Sequence, residues 1–227
     1  MDVPFVAGSR YRAFTDPEGE GWRGLDAERI RLMGTPVGMQ PTGIIRAAWT
    51  GRPIGAVPEV SVAAVHDGSE LCFHLSWPDP SETRELSDTT AFPDAAAVAL
   101  PSAPGAPLVT MGRPGAAVTA WYWRADEDGA GRHVVAEGLG TTRTVDRELV
   151  RASGIWKDGR WHVVLRRALR VATDEPVAQL EPGMRTGFGV AIWEGDHGER
   201  AGLKAFSGDW RELRLAPAGG GRSQPWR

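Results

Sequence analysis

Hydrophobic and polar residues alternate with a period of two over much of this chain, a pattern that predicts β-strands rather than helices. The clearest example is the segment 71–77, in which every second residue is Leu, Phe or Trp and the residues between are Cys, His and Ser. The apolar segment 60–65 precedes it, and Asp67-Gly68 lies between the two. An Asp-Gly pair between two such segments predicts a β-hairpin.

A second hairpin is predicted by 154–156, the turn Lys157-Asp158-Gly159 and 161–166. Further strands are expected at 44–50, 94–100, 116–124, 186–193 and 210–215, and the best short helix candidate is 146–152. The chain has 29 Gly and 17 Pro, so turns follow one another closely. These features favour an all-β protein, an antiparallel β-sandwich with few short helices.

Three regions are distinguished by composition. Residues 1–40 are polar, interrupted by Gly and Pro, and weakly periodic, so we expect an irregular N-terminal arm that lies on the domain or on a partner, or a terminal tail. Residues 41–216 form the predicted sandwich domain. Residues 217–227, which include Gly219-Gly220-Gly221, are expected to be a flexible tail.

Composition excludes several classes of function. A net charge of −3 without a basic block argues against a nucleic-acid partner. Cys72 is the one cysteine, which excludes an internal disulfide, a Cys-rich metal site and covalent c-type haem attachment. Serine-nucleophile, P-loop and dinucleotide-binding motifs are absent from the sequence.

No apolar run reaches the roughly 18 residues of a membrane span, so we expect none. The first five residues, Met1 to Phe5, lack the basic and apolar regions of a signal peptide. Two explanations stay open: removal of such a peptide, or export together with a partner.

Lysine is rare in this chain, because Lys157 and Lys204 are the two lysines among 26 Lys and Arg residues. Lys157 lies in a turn, whereas Lys204 lies in the apolar segment 202–206. A buried amine can lose its proton and then act as a base or metal ligand, which a guanidinium cannot do. The alternative is that the Lys204 stem covers apolar surface while its ammonium group stays in water.

Other residues of interest are apolar. Met111 lies between an apolar segment and a Gly-rich turn, where its thioether could serve as a soft metal ligand or as ordinary core. Trp121 and Trp123 share one strand face and are either core residues or a binding surface. In the strand 186–193, Phe188 is on one face; the opposite face has small residues and Trp193, leaving room for a flat ligand or for bulky neighbours.

Five segments, taken in order, resemble one known family. They are Phe92-Pro93-Asp94, Thr110-Met111-Gly112, Val118-x-x-Trp121-Tyr122-Trp123-Arg124-Ala125, Gly154-Ile155-Trp156-x-Asp158-Gly159-x-Trp161 and Gly202-x-Lys204-x-x-Ser207. The set resembles the haem b-binding γ subunits of ethylbenzene dehydrogenase, dimethylsulfide dehydrogenase, and the chlorate and selenate reductases. The resemblance extends over most of residues 44–215.

The resemblance implies one non-covalent haem b in a β-sandwich, with Met111 and Lys204 as axial iron ligands. Two axial donors leave the iron no open position, which suits electron transfer rather than catalysis. The subunit would thus not turn over substrate itself. Trp121, Trp123, Phe188 and Trp193 would pack the porphyrin, and Arg113 and Arg124 would meet its propionates.

The family also implies partners. They are an α subunit with molybdenum, an iron–sulfur β subunit and a soluble redox carrier. The family implies a periplasmic location, while the missing signal peptide leaves a cytoplasmic one open. The substrate of the complex, the direction of electron flow and the redox potential do not follow from the sequence.

Two alternatives differ in function. The first is a carbohydrate-binding β-sandwich module without haem, in which Trp121 and Trp123 would face solvent and stack on sugars. The second is a haem sandwich that acts alone or with another redox partner.

Overall fold

The computed structural model describes residues 1–85, 92–127 and 129–219 and shows two β-sheets packed face to face. The larger sheet has ten strands: β1 (Asp2–Val3), β3 (Met33–Gly34), β6 (Ala95–Pro101), β7 (Gly112–Arg113), β8 (Ala116–Arg124), β9 (Arg132–Ala136), β10 (Arg143–Asp146), β13 (Arg185–Trp193), β14 (Ala205–Phe206) and β15 (Arg211–Leu215). Its main order is β1-β15-β13-β6-β8-β9-β10. In this part of the chain, only β1 and β15 pair in parallel among the named strands.

The smaller sheet has five strands: β2 (Glu28–Arg31), β4 (Glu59–His66), β5 (Glu70–Pro78), β11 (Arg151–Lys157) and β12 (Arg160–Ala168). Their order is β11-β12-β5-β4-β2. Both predicted hairpins are confirmed as β4–β5 and β11–β12. The strands expected at 94–100, 116–124, 186–193 and 210–215 are β6, β8, β13 and β15, so the predicted antiparallel sandwich is confirmed.

The main core lies between the two sheets and is rich in indole rings. Trp77 and Trp161 from the smaller sheet, with Trp121 and Trp123 from the larger one, are all 0% exposed. The Trp123 and Trp161 ring centroids are 4.9 Å apart in an edge-to-face arrangement, which aromatic rings favour. Burial of these rings provides much of the hydrophobic stabilisation that holds the two sheets together.

Residues 8–24 cover the outer face of the smaller sheet. Two 3₁₀ helices, Gly8–Phe14 and Glu20–Gly24, lie there, and Trp22 stacks on His74 of β5 with centroids 4.9 Å apart. The thiol of Cys72 donates to the carbonyl of Phe14 at 3.0 Å. Residues 1–40 also supply β1, β2 and β3. The division into arm, domain and tail stays a prediction, and most of the tail lies outside the described residues.

The expected strand 44–50 is wrong, because Gly43–Trp49 is the α-helix α1. Thr42 starts this helix: its Oγ1 accepts a hydrogen bond from the N–H of Ile45 at 3.3 Å, which is an N-cap. Only Trp49 of the helix is buried, and Ile44 is 83% exposed. The apolar residues therefore do not mark a core-facing strand here.

The expected helix 146–152 is also wrong. The carboxylate of Asp146 accepts hydrogen bonds from the N–H groups of Glu148 and Leu149 at 2.5 and 2.7 Å. Such side-chain bonds compete with helix formation and stabilise a turn. Arg151 then begins β11, which pairs with β12 from Arg151↔Arg166 to Lys157↔Arg160. No helix in the described part of the chain has the length and hydrophobicity needed to span a membrane.

Candidate cofactor-binding site

A cavity of about 490 Å³ lies on the outer face of the larger sheet, away from the core. Its floor consists of alanines from neighbouring strands: Ala97 and Ala99 of β6, Ala120 of β8 and Ala191 of β13. The other lining residues come from loops and from the surrounding strands: Thr35, Pro36, Met39, Gln40, Pro41, Leu108, Val109, Met111, Tyr122, Arg132, Val134, Leu139, Gly140, Thr142, Thr144, Val190, Trp193, Ala201, Gly202, Lys204 and Phe206. The volume is typical of cofactor and ligand sites.

The strand register explains why only small side chains cover the sheet at the floor of the cavity. Ala97 pairs with Ala191 on one side and with Tyr122 on the other, and Ala99 pairs with Ala120. Because alternate residues of a strand face opposite sides, small residues at these positions leave one sheet face nearly bare. The structure therefore has open space beside Ala191, whereas Gly187 and Gly189 of β13 face the bulky side chains of Trp210 and Leu108.

Lys204 lines the cavity, and hydrogen bonds from Thr35 fix the backbone that carries it. The N–H of Thr35 donates to the carbonyl of Lys204 at 3.0 Å, and the Thr35 hydroxyl donates to the carbonyl of Gly202 at 2.6 Å. Lys204 precedes β14, whose residue Ala205 pairs with Ile192. This register places Lys204 beside Trp193, and its Nζ is 5.2 Å from the centre of the Trp193 ring.

The amine of Lys204 has no charged partner in the described part of the chain. Among the described residues, its Nζ makes no hydrogen bond or ion pair, whereas Lys157 donates to the carboxylate of Glu18 at 2.6 Å. Loss of hydration around the amine lowers the pKa of Lys204 to about 8. A neutral amine with a free lone pair is therefore accessible near physiological pH.

Met111 lines the same cavity from a constrained turn. Its φ of 56° is unusual for a residue with a side chain, and its N–H donates to the carbonyl of Leu108 at 2.9 Å. The next residue must be glycine, because a Cβ on Gly112 would lie 2.6 Å from the carbonyl oxygen of Ala136. The turn thus fixes the backbone that carries the thioether.

Met111 and Lys204 approach the floor from different ends. Met111 precedes Gly112, which pairs with Ala117 at the start of β8. Lys204 is beside the end of β13, where Trp193 pairs with Ala95. Along β6, the floor residues Ala97 and Ala99 lie between these two ends of the cavity.

Other residues proposed from the sequence take different positions. Trp193 lines the cavity, but Trp121, Trp123 and Phe188 are 0% exposed in the inter-sheet core and are not lining residues. Buried indoles cannot stack on sugars, so the two strand-face tryptophans lack the exposure that the carbohydrate alternative needs.

The two arginines proposed as propionate partners are also absent from the lining. Arg113 is exposed, and Arg124 binds Asp126 through two hydrogen bonds of 2.9 and 2.6 Å. Arg132 lines the cavity instead. Its Nε donates to Glu127 at 2.8 Å, and its guanidinium lies over the ring of Tyr122, 5.8 Å from the centroid.

Met39, Tyr122 and Arg132 are the lining residues of chemical interest that sequence reasoning missed. Alternation alone gives one signal: Tyr122 lies between Trp121 and Trp123 and must face the opposite side of the sheet. Met39 and Arg132 reach the cavity through long-range packing, for which the sequence gives no local signal.

The fold and the site define a β-sandwich protein with a cavity on the outer face of one sheet. The model for the family described as ethylbenzene dehydrogenase matches residues 21–148 and 139–205, and the chain belongs to this family. Carbohydrate binding module family 9 domains from Caldicellulosiruptor kristjanssonii, in complex with glucose and with cellotriose, share the fold, each with a TM-score of 0.52 at 10% identity. The alignments cover 98% and 99% of this chain and 100% and 97% of those domains.

Three relatives carry names of enzyme subunits. Chlorate reductase subunit gamma of Ideonella dechloratans is 36% identical over 161 residues, 70% of this chain and 66% of that protein. A Haloferax mediterranei protein provisionally named respiratory nitrate reductase heme subunit ORF7 is 29% identical over 88% of this chain and 68% of its own length. Dimethylsulfide dehydrogenase subunit gamma of Rhodovulum sulfidophilum is 26% identical over 91% of this chain and 77% of its own length.

Proposed function

We propose that this protein is a b-type cytochrome subunit that transfers electrons within a molybdenum oxidoreductase complex. In this proposal it binds one haem b in the alanine-floored cavity, with Met111 and Lys204 as axial ligands. One observation carries the proposal: a thioether and an amine without a charged partner line the same cavity. The names of the relatives support the proposal, because all three are subunits of oxidoreductases and one is named as a heme subunit.

The donor groups suit the iron of a haem. A thioether is a soft donor that favours iron in its lower oxidation state. The Lys204 amine binds a metal only when it is neutral, and its lowered pKa makes the loss of the proton easier. With both axial positions filled, the haem would supply one-electron redox chemistry without an open site for substrate.

The lining also offers groups for the rest of the cofactor. The alanines would lie against the flat macrocycle, and the Trp193 and Tyr122 rings, with centroids 5.3 Å apart, would border it. Arg132 is the lining arginine, and its Nη1 makes no hydrogen bond to a described residue. We therefore assign the propionate contact to Arg132 in place of Arg113 and Arg124.

The proposed partner subunits are based on the names of the relatives, since the cavity itself gives no information about partners. As a γ-type subunit the protein would join a molybdenum-bearing α subunit and an iron–sulfur β subunit, and would exchange electrons with a soluble carrier. The periplasm is the proposed location, by analogy with the same family.

Haem titration of the cofactor-free protein, followed by visible absorption, tests the proposal. We expect saturation at about one haem per chain and the sharp Soret band of six-coordinate low-spin iron. Lys204→Arg should lose this band because a guanidinium has no lone pair to donate. Lys157→Arg changes the other lysine, which pairs with Glu18 on the surface, and should leave the spectrum unchanged.

Two outcomes would contradict the proposal. A protein that stays colourless with excess haem does not bind the cofactor. An unchanged spectrum in Lys204→Arg would remove this lysine from the iron. Co-purification of the native protein distinguishes the remaining alternative, since a haem sandwich that acts alone brings no molybdenum or iron–sulfur subunit with it.

A further inference from the structure

Three acidic side chains meet at one end of the sandwich, away from the lining of the cavity. Asp79 follows β5 of the smaller sheet, Asp94 precedes β6 and Glu194 follows β13 of the larger sheet. Their exposed fractions are 0%, 0% and 7%, and one oxygen from each lies within 4.8 Å of the others. Carboxylates are almost never buried this deeply without a partner that offsets their charge.

The cluster lacks such a partner among the described residues. None of the three carboxyl groups forms an ion pair with a described basic side chain. Asp79 Oδ2 and Glu194 Oε1 are buried and accept no hydrogen bond from a described N–H group. The two carboxyl groups lie against each other and burial raises the pKa of both, so a proton shared between them is the alternative to a bound ion. A buried acceptor without a donor is rare in folded proteins and calls for an explanation such as an ion.

Asp94 is the fixed member of the cluster. Its Oδ1 accepts from the N–H of Gly195 at 2.8 Å, and its Oδ2 accepts from Thr83 N–H at 2.9 Å and from Trp161 Nε1 at 3.0 Å. These bonds tie the two sheets together and hold the carboxylate facing its two acidic neighbours. The backbone is tightly packed here, since a Cβ on Gly195 would lie 1.6 Å from the carbonyl oxygen of Phe92.

The geometry points to a binding site for one hard divalent cation, of the calcium type, held by Asp79, Asp94 and Glu194. The donors are all oxygens, which suit Ca²⁺, Mg²⁺ or Mn²⁺ rather than softer metals. Oxygens bound to one Ca²⁺ at about 2.3–2.6 Å lie at most about 5 Å apart, which the observed spacing satisfies. One divalent ion would then offset two of the three negative charges that these carboxylates carry when ionised.

Such an ion would act as a cross-link between the sheets. Glu194 directly follows Trp193, a lining residue of the cavity, so the ion would also anchor the end of β13 beside that cavity. The proposal does not depend on the cofactor, because none of the three acidic residues lines the cavity.

The full-length chain, stripped of metal with a chelator and then supplied with CaCl₂, provides the test. We expect about one Ca²⁺ per chain by elemental mass spectrometry after dialysis. At a hundredfold excess over the dissociation constant, the melting temperature should rise by roughly 5–10 °C. Glu194→Gln should lose both effects, while Glu148→Gln, which removes an exposed carboxylate, should keep both.

Three results would overturn the site. The first is no retained metal and no change in melting temperature with Ca²⁺, Mg²⁺ or Mn²⁺, which would mean that the carboxyl groups share protons instead. The second is an equal calcium effect in Glu194→Gln, and the third is a loss of the effect in Glu148→Gln. If Glu194→Gln does not fold, Asp79→Asn replaces it, and the metal content of the unmodified chain decides the outcome.

Discussion

The two faces of the larger sheet are built from the same strands and yet differ in kind. On the inner face, Trp121, Trp123 and Phe188 are fully buried against the smaller sheet. On the outer face, the same strands present Ala120 and Ala191 to a cavity. Strand alternation thus separates core positions from cavity-lining positions, so large aromatic residues near a motif need not line the cavity.

The largest effect is expected on the inner face. Trp121→Ala should lower the free energy of unfolding by about 3–5 kcal/mol, because it leaves a cavity in a packed core. Urea denaturation of the cofactor-free protein measures it. Ala120→Ser, the adjacent residue on the opposite face, is the control and should stay within about 1 kcal/mol of the unmodified protein. A similar loss in both variants would remove the distinction between the faces.

A large side chain on the outer face should lower haem affinity, whereas the change on the inner face lowers stability. Ala97→Phe adds a ring to the cavity floor between Ala191 and Tyr122 and should lower haem affinity at least tenfold, about 1.4 kcal/mol. Haem titration by absorption measures the affinity. Unchanged affinity in a folded Ala97→Phe protein would place the cofactor elsewhere.

The donor on one side of the floor can be tested with a matched pair. Met111→Leu keeps the size of the side chain but removes the sulfur, so the haem should lose its low-spin spectrum and its redox potential should fall. Met39→Leu makes the same change at a second methionine of the lining and should alter neither. If Met39→Leu changes the spectrum and Met111→Leu does not, the assignment of the thioether is reversed.

The last prediction concerns pH. The folded pKa of Lys204, about 8, lies below its ordinary value of 10.5, so the neutral amine is favoured above pH 8 and the ammonium below it. Ligation competes with a proton below pH 8, and the apparent ligation constant should fall about tenfold per pH unit there. A pH titration of the low-spin band measures this. A band that strengthens as pH falls from 8 to 6 would contradict an amine ligand.

The sequence predicted the sandwich well because hairpins are local. Alternation in 71–77 and a turn such as Asp158-Gly159 specify strand pairing within a few residues. The helix at 43–49 was missed because its start depends on one hydrogen bond from Ile45 to Thr42. In a reading of the sequence, a single N-cap residue carries less weight than a run of apolar residues that fits a strand.

The site was only partly predictable. Lys204 stood out because lysine is rare in this chain, yet its backbone is held by Thr35, far away in sequence. Alternation placed Trp121 and Trp123 on one face correctly, but it does not tell which face meets the other sheet. Arg132 reaches the cavity through the order of the strands, which no local pattern encodes.

The central claim concerns two side chains on one iron, and NMR of the reduced haem-loaded protein tests it directly. The chain has two lysines, so ¹⁵N-lysine labelling gives one signal for Lys204 and one for Lys157 as internal reference. We predict that the amine protons of Lys204 and the methyl protons of Met111 are both shifted far upfield by the porphyrin ring current. Ordinary chemical shifts for both lysines, in a protein with haem bound, would contradict the account.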